Sequence, residues 1–280
     1  MSVSREGAYI ASGGADKSVS VWNWELSQKY TFTHVDTLQA VAFNPVAANV
    51  LATVSAADFA IWTMPSTSVK KVKLPSRACC AGWTSDGQLL AIGLHSGVVT
   101  VRDLSCAERY AITRREPVWD LCWAPAKGVQ VGDAVAPYPV DLLSVACWDG
   151  TLSFYTVDGV QVGRDRPAPA GGDPCSVRPF FGHDFLLVAG ADRRATVVTR
   201  DGVKLNAVAD ASDWVWRAAA RPRTSSAFAI ATNDGAVALY SVAFSTVHGL
   251  YGDRYAVRDM CTDVVVQHLV SEARVRIKCR

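Results

Sequence analysis

The 280-residue sequence predicts an all-β protein assembled from one repeated sheet, and three observations carry that prediction. First, six segments share a turn residue followed by an alternating strand: "ADKSVSVW" (15–22), "ADFAIW" (57–62), "SGVVTVRD" (96–103), "DGTLSFY" (149–155), "DRRATVV" (192–198) and "DGAVALY" (234–240). Second, their strand ends, Trp22, Trp62, Arg102, Tyr155, Val198 and Tyr240, recur at intervals of 40, 40, 53, 43 and 42 residues. Third, apolar residues alternate with period two, and no 11-residue window sustains helical spacing.

The other strands of each unit follow in order. A short apolar strand precedes every turn, as in "YIAS", "VLATVS", "LLAIG", "LLSVA", "FLLVAG" and "AFAIAT". Earlier still lies a third, as in "LQAVAFNP", "VWDLCWAP" and "WVWRAAARP", and a more polar strand such as "ERYAITR" follows the turn segment. Four strands per unit, repeated radially about every 40–45 residues, form a β-propeller of the WD-repeat kind, whose sheet edges are short and protected. The 53-residue interval contains "APAKGVQVGDAVAPYPVD" (124–141), read as a lengthened loop between two strands of one blade.

Composition allows a large core and favours no particular partner. Half the residues are hydrophobic, 19% are charged, and the net charge is +2, as in a folded chain. The basic run Lys70, Lys71, Lys73 and Arg77 reads as a solvated loop. Eight cysteines include no C-x-x-C, and several sit in apolar runs, which suits reduced thiols in a cytosolic compartment and argues against zinc. The first residues, "MSVSREGAYIASGG", lack the apolar stretch of a signal peptide, and no run approaches the ~18 apolar residues of a membrane span.

The turn aspartates Asp16, Asp58, Asp149, Asp192 and Asp234 have a structural use, because Asp accepts backbone N–H bonds in tight turns and a following Gly supplies positive φ. His34, Asp58 and Trp62 are spaced as in the hydrogen-bond cluster of WD repeats, which the repeat resemblance would complete with Thr53 or Ser55. Trp22 occupies the position of Trp62 one repeat earlier. The other repeats lack the histidine and are expected to rely on apolar packing between blades.

No catalytic or cofactor motif survives inspection. "GGADKS" fails the phosphate-loop pattern, since Ala11 and Asp16 stand where glycines are required. "GLHSG" (93–97) is not G-x-S-x-G and lies between strands. The five histidines, His34, His95, His183, His248 and His268, are far apart, so no catalytic residue, cofactor or metal ligand is assigned. "WVWR" (214–217) admits an aromatic–cation reading. Its strand position predicts one tryptophan in the core and the other at the channel or a neighbouring blade.

The irregular tail, "FSTVHGLYGDRYAVRDMCTDVVVQHLVSEARVRIKCR" (244–280), resembles the segment joining the first propeller to the second in the intraflagellar transport protein 122 family. The likeness extends upstream through "GADKSVSVW", "YTFTHVDTLQAVAFNP", "TRDGVKL" and "DWVW", essentially the whole chain. It implies a seven-bladed ring of which about six blades are present, incomplete at the N-terminus, so that the chain is a fragment of a longer subunit. The expected domains are a partial propeller over 1–260 and connecting strands over 261–280 that lead to a second propeller absent from the chain. Phe244, Val247 and Leu250 are expected to pack, with a turn at Gly252 and Asp253.

The resemblance also implies a function: a non-enzymatic scaffold of intraflagellar transport complex A, in cilium, basal body and cytoplasm. Its partners would be the other subunits of that complex and, indirectly, the retrograde dynein motor and ciliary cargo, with no nucleic acid and no membrane insertion. A WD-repeat adaptor in a vesicle coat or ubiquitin ligase is the competing reading, and a propeller hydrolase a third. Arg274, Arg276, Lys278 and Arg280 alternate with Val275, Ile277 and Cys279, a strand with one basic and one apolar face, read first as an ordinary exposed strand entering the next domain and second as a site for an acidic partner.

Overall fold

The computed structural model of the chain describes residues 1–66, 69–126, 130–131, 134–135, 140–169, 172–181, 185–199, 202–221, 226–243, 247–259 and 263–278. Among these there is no helix, and so none long and apolar enough to cross a membrane. The chain divides into two compact units, Met1–Leu239 and Tyr240–Arg280.

Six antiparallel sheets, blades 1 to 6, succeed one another from the N-terminus. Blade 1 runs from Ser2–Val3 to Gln28–Thr33, blade 2 from Leu38–Phe43 to Val72–Lys73, and blade 3 from Ala78–Trp83 to Glu108–Thr113. Blade 4 runs from Val118–Ala126 to Arg166–Pro167 and blade 5 from Pro174–Phe180 to Lys204–Asp210. Blade 6 has three strands, from Val215–Ala220 to Val237–Ser241. All six aligned positions, Trp22 to Tyr240, lie in third strands.

Burial explains the order of the strands. The second strands Val50–Ser55 and Phe185–Gly190 are buried at every residue, so both faces are covered. The fourth strand Glu108–Thr113 is mostly exposed. Side chains therefore alternate between neighbouring blades in the inner strands and meet water at the outer one. Each apolar layer draws on two blades: Val21 and Phe32 of blade 1 meet Leu51 and Trp62 of blade 2, and Val99 and Ile112 of blade 3 meet Leu121 and Leu143 of blade 4. Gly97 shows how tightly the turns fit, since its φ is +85° and an added Cβ would lie 2.5 Å from the Arg114 carbonyl oxygen.

The segment 124–141 lies between the first and second strands of blade 4, as expected. It is less purely a loop than its composition suggests. The strands extend to Ala126 and restart at Val140, and a two-residue ladder joins Gln130–Val131 to Ala134–Val135.

The second unit contains one four-stranded sheet, His248–Tyr251, Arg254–Asp259, Asp263–His268 and Arg274–Lys278, paired in chain order. The predicted turn is there, with Gly252 at φ +56°. The predicted packing is not: Val247 and Leu250 are 54% and 65% exposed, because 248–251 opens this separate sheet instead of closing blade 6. Phe244 lies outside the described residues. The expected boundary after residue 260 falls between two strands of this sheet.

Candidate functional site

Five positions have the same backbone address, immediately after a blade's fourth strand. The amides of His34, Leu74, Arg114, Ala168 and Ala211 bond the carbonyls of Lys17, Ala57, Gly97, Gly150 and Arg193 in the preceding turns, at 2.7–2.9 Å. The side chains of His34, Leu74 and Arg114 reach the next blade from this address, and their identity decides what joins the two.

At the first position, His34 joins a buried polar chain. Its Nδ1 lies 2.9 Å from Asp58 Oδ1 and its Nε2 2.7 Å from Thr53 Oγ1, which accepts the Trp62 indole N–H at 2.7 Å. Ser55 Oγ donates to the same Asp58 oxygen and accepts the Asp58 amide. Both hydroxyls left open by the sequence reading thus take part. Thr53 Oγ1 thus joins the Trp62 indole to the His34 ring through one oxygen. Asp58 opens the third strand of its blade, so it stands just beyond the turn in which the sequence placed it.

The expectation that the remaining junctions are apolar is corrected at blade 4, where Arg114 fills the histidine's place. Its Nη2 donates to Asp165 at 2.8 Å, Thr151 at 2.8 Å and Asp149 at 3.2 Å, and its Nη1 to Asp165 at 3.1 Å and Tyr155 Oη at 3.3 Å. Tyr155 is the counterpart of Trp62. Burial opposes the Arg114 charge, but the hydrogen bonds and charges of Asp165 and Tyr155 overcome it and raise its pKa. Burial likewise opposes the Asp165 carboxylate, yet Arg114 and Ser153 hold it below its ordinary value. A planar fork spans more acceptors than an imidazole, which is how one guanidinium replaces the histidine. Leu74, by contrast, does pack into an apolar layer, between blades 2 and 3.

Of the other turn aspartates, Asp16 and Asp192 act locally, whereas Asp234 also reaches Ser212 in the segment between blades 5 and 6. Asp16 bonds the Ser18 amide and hydroxyl, and Asp192 the Arg194 amide. Asp234 takes bonds from Ser212 at 2.5 Å, from Thr232 and from the Ala236 amide, and these pull its carboxyl down to about 2. Trp22 is half-buried on its third strand. Arg274, Arg276 and Lys278 lie on the exposed edge strand of the second unit, where Arg276 reaches Asp263 at 3.0 Å; Arg280 lies outside the described residues.

The channel-side strands carry a further charged group that the sequence reading missed. Buried Asp120 of blade 4 accepts the Val177 amide at 2.9 Å, Arg178 at 2.9 Å and Arg217 at 3.2 Å, tying blades 4, 5 and 6 together. Among the described residues no group of three or more His, Cys, Asp or Glu could hold a metal ion.

Blades of this form, locked by histidine or arginine between one blade's end and the next blade's strands, define a WD-repeat β-propeller protein. The family model described as "IFT122 first beta-propeller" matches residues 1–241, and "IFT122 second beta-propeller" matches 248–280. The chain belongs to the intraflagellar transport protein 122 family. It is 42% identical over 280 residues to the Intraflagellar transport protein 122 homologs of Xenopus tropicalis and Danio rerio, covering 99% of this chain and 22% of theirs. The Homo sapiens homolog is 34% identical over 330 aligned positions, 26% of its length. The chain therefore spans about a quarter or less of these relatives.

Proposed function

We propose that the chain is a non-enzymatic scaffold acting in intraflagellar transport as part of complex A, where it supports retrograde movement and cilium assembly. Family membership along both units carries this reading. The physical support is that the polar side chains with buried hydrogen bonds join blade to blade, and that the carboxylate–imidazole–hydroxyl chain of Asp58, His34 and Thr53 is itself buried at such a junction, closed to any substrate. A propeller so clamped presents rigid edges and loops to other subunits, needs no cofactor, and makes or breaks no bond. In this reading residues 1–241 are first-propeller blades, and 248–278 is a blade of the second. Its partners are the other complex A subunits, with dynein and cargo reached through them, and its places are cilium, basal body and the cytoplasm that supplies them.

The test is co-purification of the tagged endogenous protein from ciliated cells, quantified by mass spectrometry. Complex A subunits in near-stoichiometric yield are expected. Vesicle-coat or ubiquitin-ligase subunits in their place would overturn the proposal.

A further inference from the structure

The innermost strands share an irregularity with a functional consequence. In blades 2 to 6 the ladder between first and second strands slips by one residue, leaving Gln39, Cys79, Trp119, Cys175 and Trp216 as unpaired bulge residues. A bulge re-aims its side chain out of the sheet. Here Gln39, Cys79, Trp119 and Trp216 stay half-buried on the innermost strands while Cys175 is buried, one residue before Ala40, Cys80, Asp120, Arg217 and Ser176 respectively.

Two of the five are tryptophans, and they meet. Trp119 and Trp216 have ring centroids 5.8 Å apart, bridging blades 4 and 6 past the small Cys175 of blade 5. Trp148 stacks on Trp119 at 4.2 Å, and Trp214 lies 5.6 Å from Trp216. Trp119, Trp148 and Trp216 are half-buried and Trp214 is 37% exposed. Four indoles thus form one accessible wall, an unusual use of residues that small domains bury.

Charge complements the wall. The loops entering the same strands carry Glu116, Asp173 and Asp213, half-buried or exposed, with Arg115 and Arg217 as nearby bases. Asp213 accepts Asn233 at 2.9 Å, and Asn233 accepts the Trp216 indole N–H at 3.0 Å, so a carboxylate is coupled to the aromatic wall. Arg217, next to Trp216, pairs with Asp120 at 3.2 Å, which turns part of its charge away from the indoles while its side chain stays 58% exposed. Indole faces with carboxylates around them attract a cation and leave an anion unfavoured.

We propose that this mouth receives an arginine or lysine side chain from an extended segment of a partner protein. The proposal deepens the scaffold reading by giving one docking surface its chemistry, and it rests on that reading only for the partner's biological identity.

The experiment titrates the full chain into fluorescein-labelled Gly–Ser dodecapeptides bearing three arginines, three prolines or three glutamates, read by anisotropy. Saturable binding of the arginine peptide is expected, weakened about five-fold by Trp214→Ala and separately by Glu116→Gln, and unchanged by the remote Trp24→Ala. Circular dichroism confirms that each variant is folded. No saturable arginine binding, equal binding of the proline or glutamate peptide, or indifference to both mouth variants would overturn the proposal. None of these outcomes bears on co-purification with complex A, so the two readings fail separately.

Discussion

Thr53 serves two neighbours through one oxygen, accepting from the Trp62 indole and sharing a hydrogen bond with His34 Nε2. Thr53→Val keeps the shape and leaves a buried indole N–H and a buried imidazole nitrogen without partners. It should cost about 2–4 kcal/mol in chemical denaturation, one desolvated group at each side; a loss within experimental error would show the chain to be ornamental. Asp234 gives a different kind of test, because it is exposed and its pKa is lowered by bonds from Ser212, Thr232 and Ala236 to about 2. A folded pKa below the unfolded one means that its contribution is full above the ordinary carboxyl range, about 3.9, and is lost as pH falls toward 2. Carboxyl 13C NMR should place its midpoint near 2, and a midpoint at the ordinary value would mean the turn bonds are not held in solution. His34, Asp58 and Trp62 could be read from spacing alone, since a motif names them. Arg114 could not, because a guanidinium in an imidazole's place matches no motif; its only signal was register, positions 34, 74 and 114 being 40 apart.

At the scale of elements, the junction between blades 3 and 4 depends on fork geometry. Arg114→Lys keeps the charge but cannot reach Asp149, Asp165, Thr151 and Tyr155 together. It should destabilise by about 1–3 kcal/mol, discounted for the partly exposed Asp165, whereas equal stability would mean that charge alone holds the junction. The exposed edge strand Arg274–Lys278 is proposed as an acidic-partner surface. Glutamate at Arg274, Arg276, Lys278 and Arg280 should abolish capture of at least one complex A subunit in pull-down; unaltered capture would assign the strand to plain sheet architecture. Strand order was legible because alternation and turn residues are local properties. The bulges were not, since a one-residue slip leaves the alternating pattern looking merely imperfect, as in "VWDLCWAP". The packing expected of Val247 and Leu250 failed for a related reason: strand-like residues do not say which sheet they join.

For the whole molecule, the repeat period made the propeller readable, while radial position turned ordinary residues into a site. Asp120, Arg178 and Arg217 are scattered over nearly a hundred positions of sequence, and only the convergence of inner strands unites them. The four tryptophans of the mouth are likewise unremarkable in sequence. Fold and family could be inferred early because both are distributed along the chain; surfaces could not, because they exist only between blades. The central claim is that this propeller travels as part of an intraflagellar train. It is tested most directly by imaging the fluorescently tagged endogenous protein in living ciliated cells. Discrete particles running along the axoneme, including toward the base, are predicted. A diffuse cytosolic or static Golgi signal, with no axonemal movement, would contradict the account.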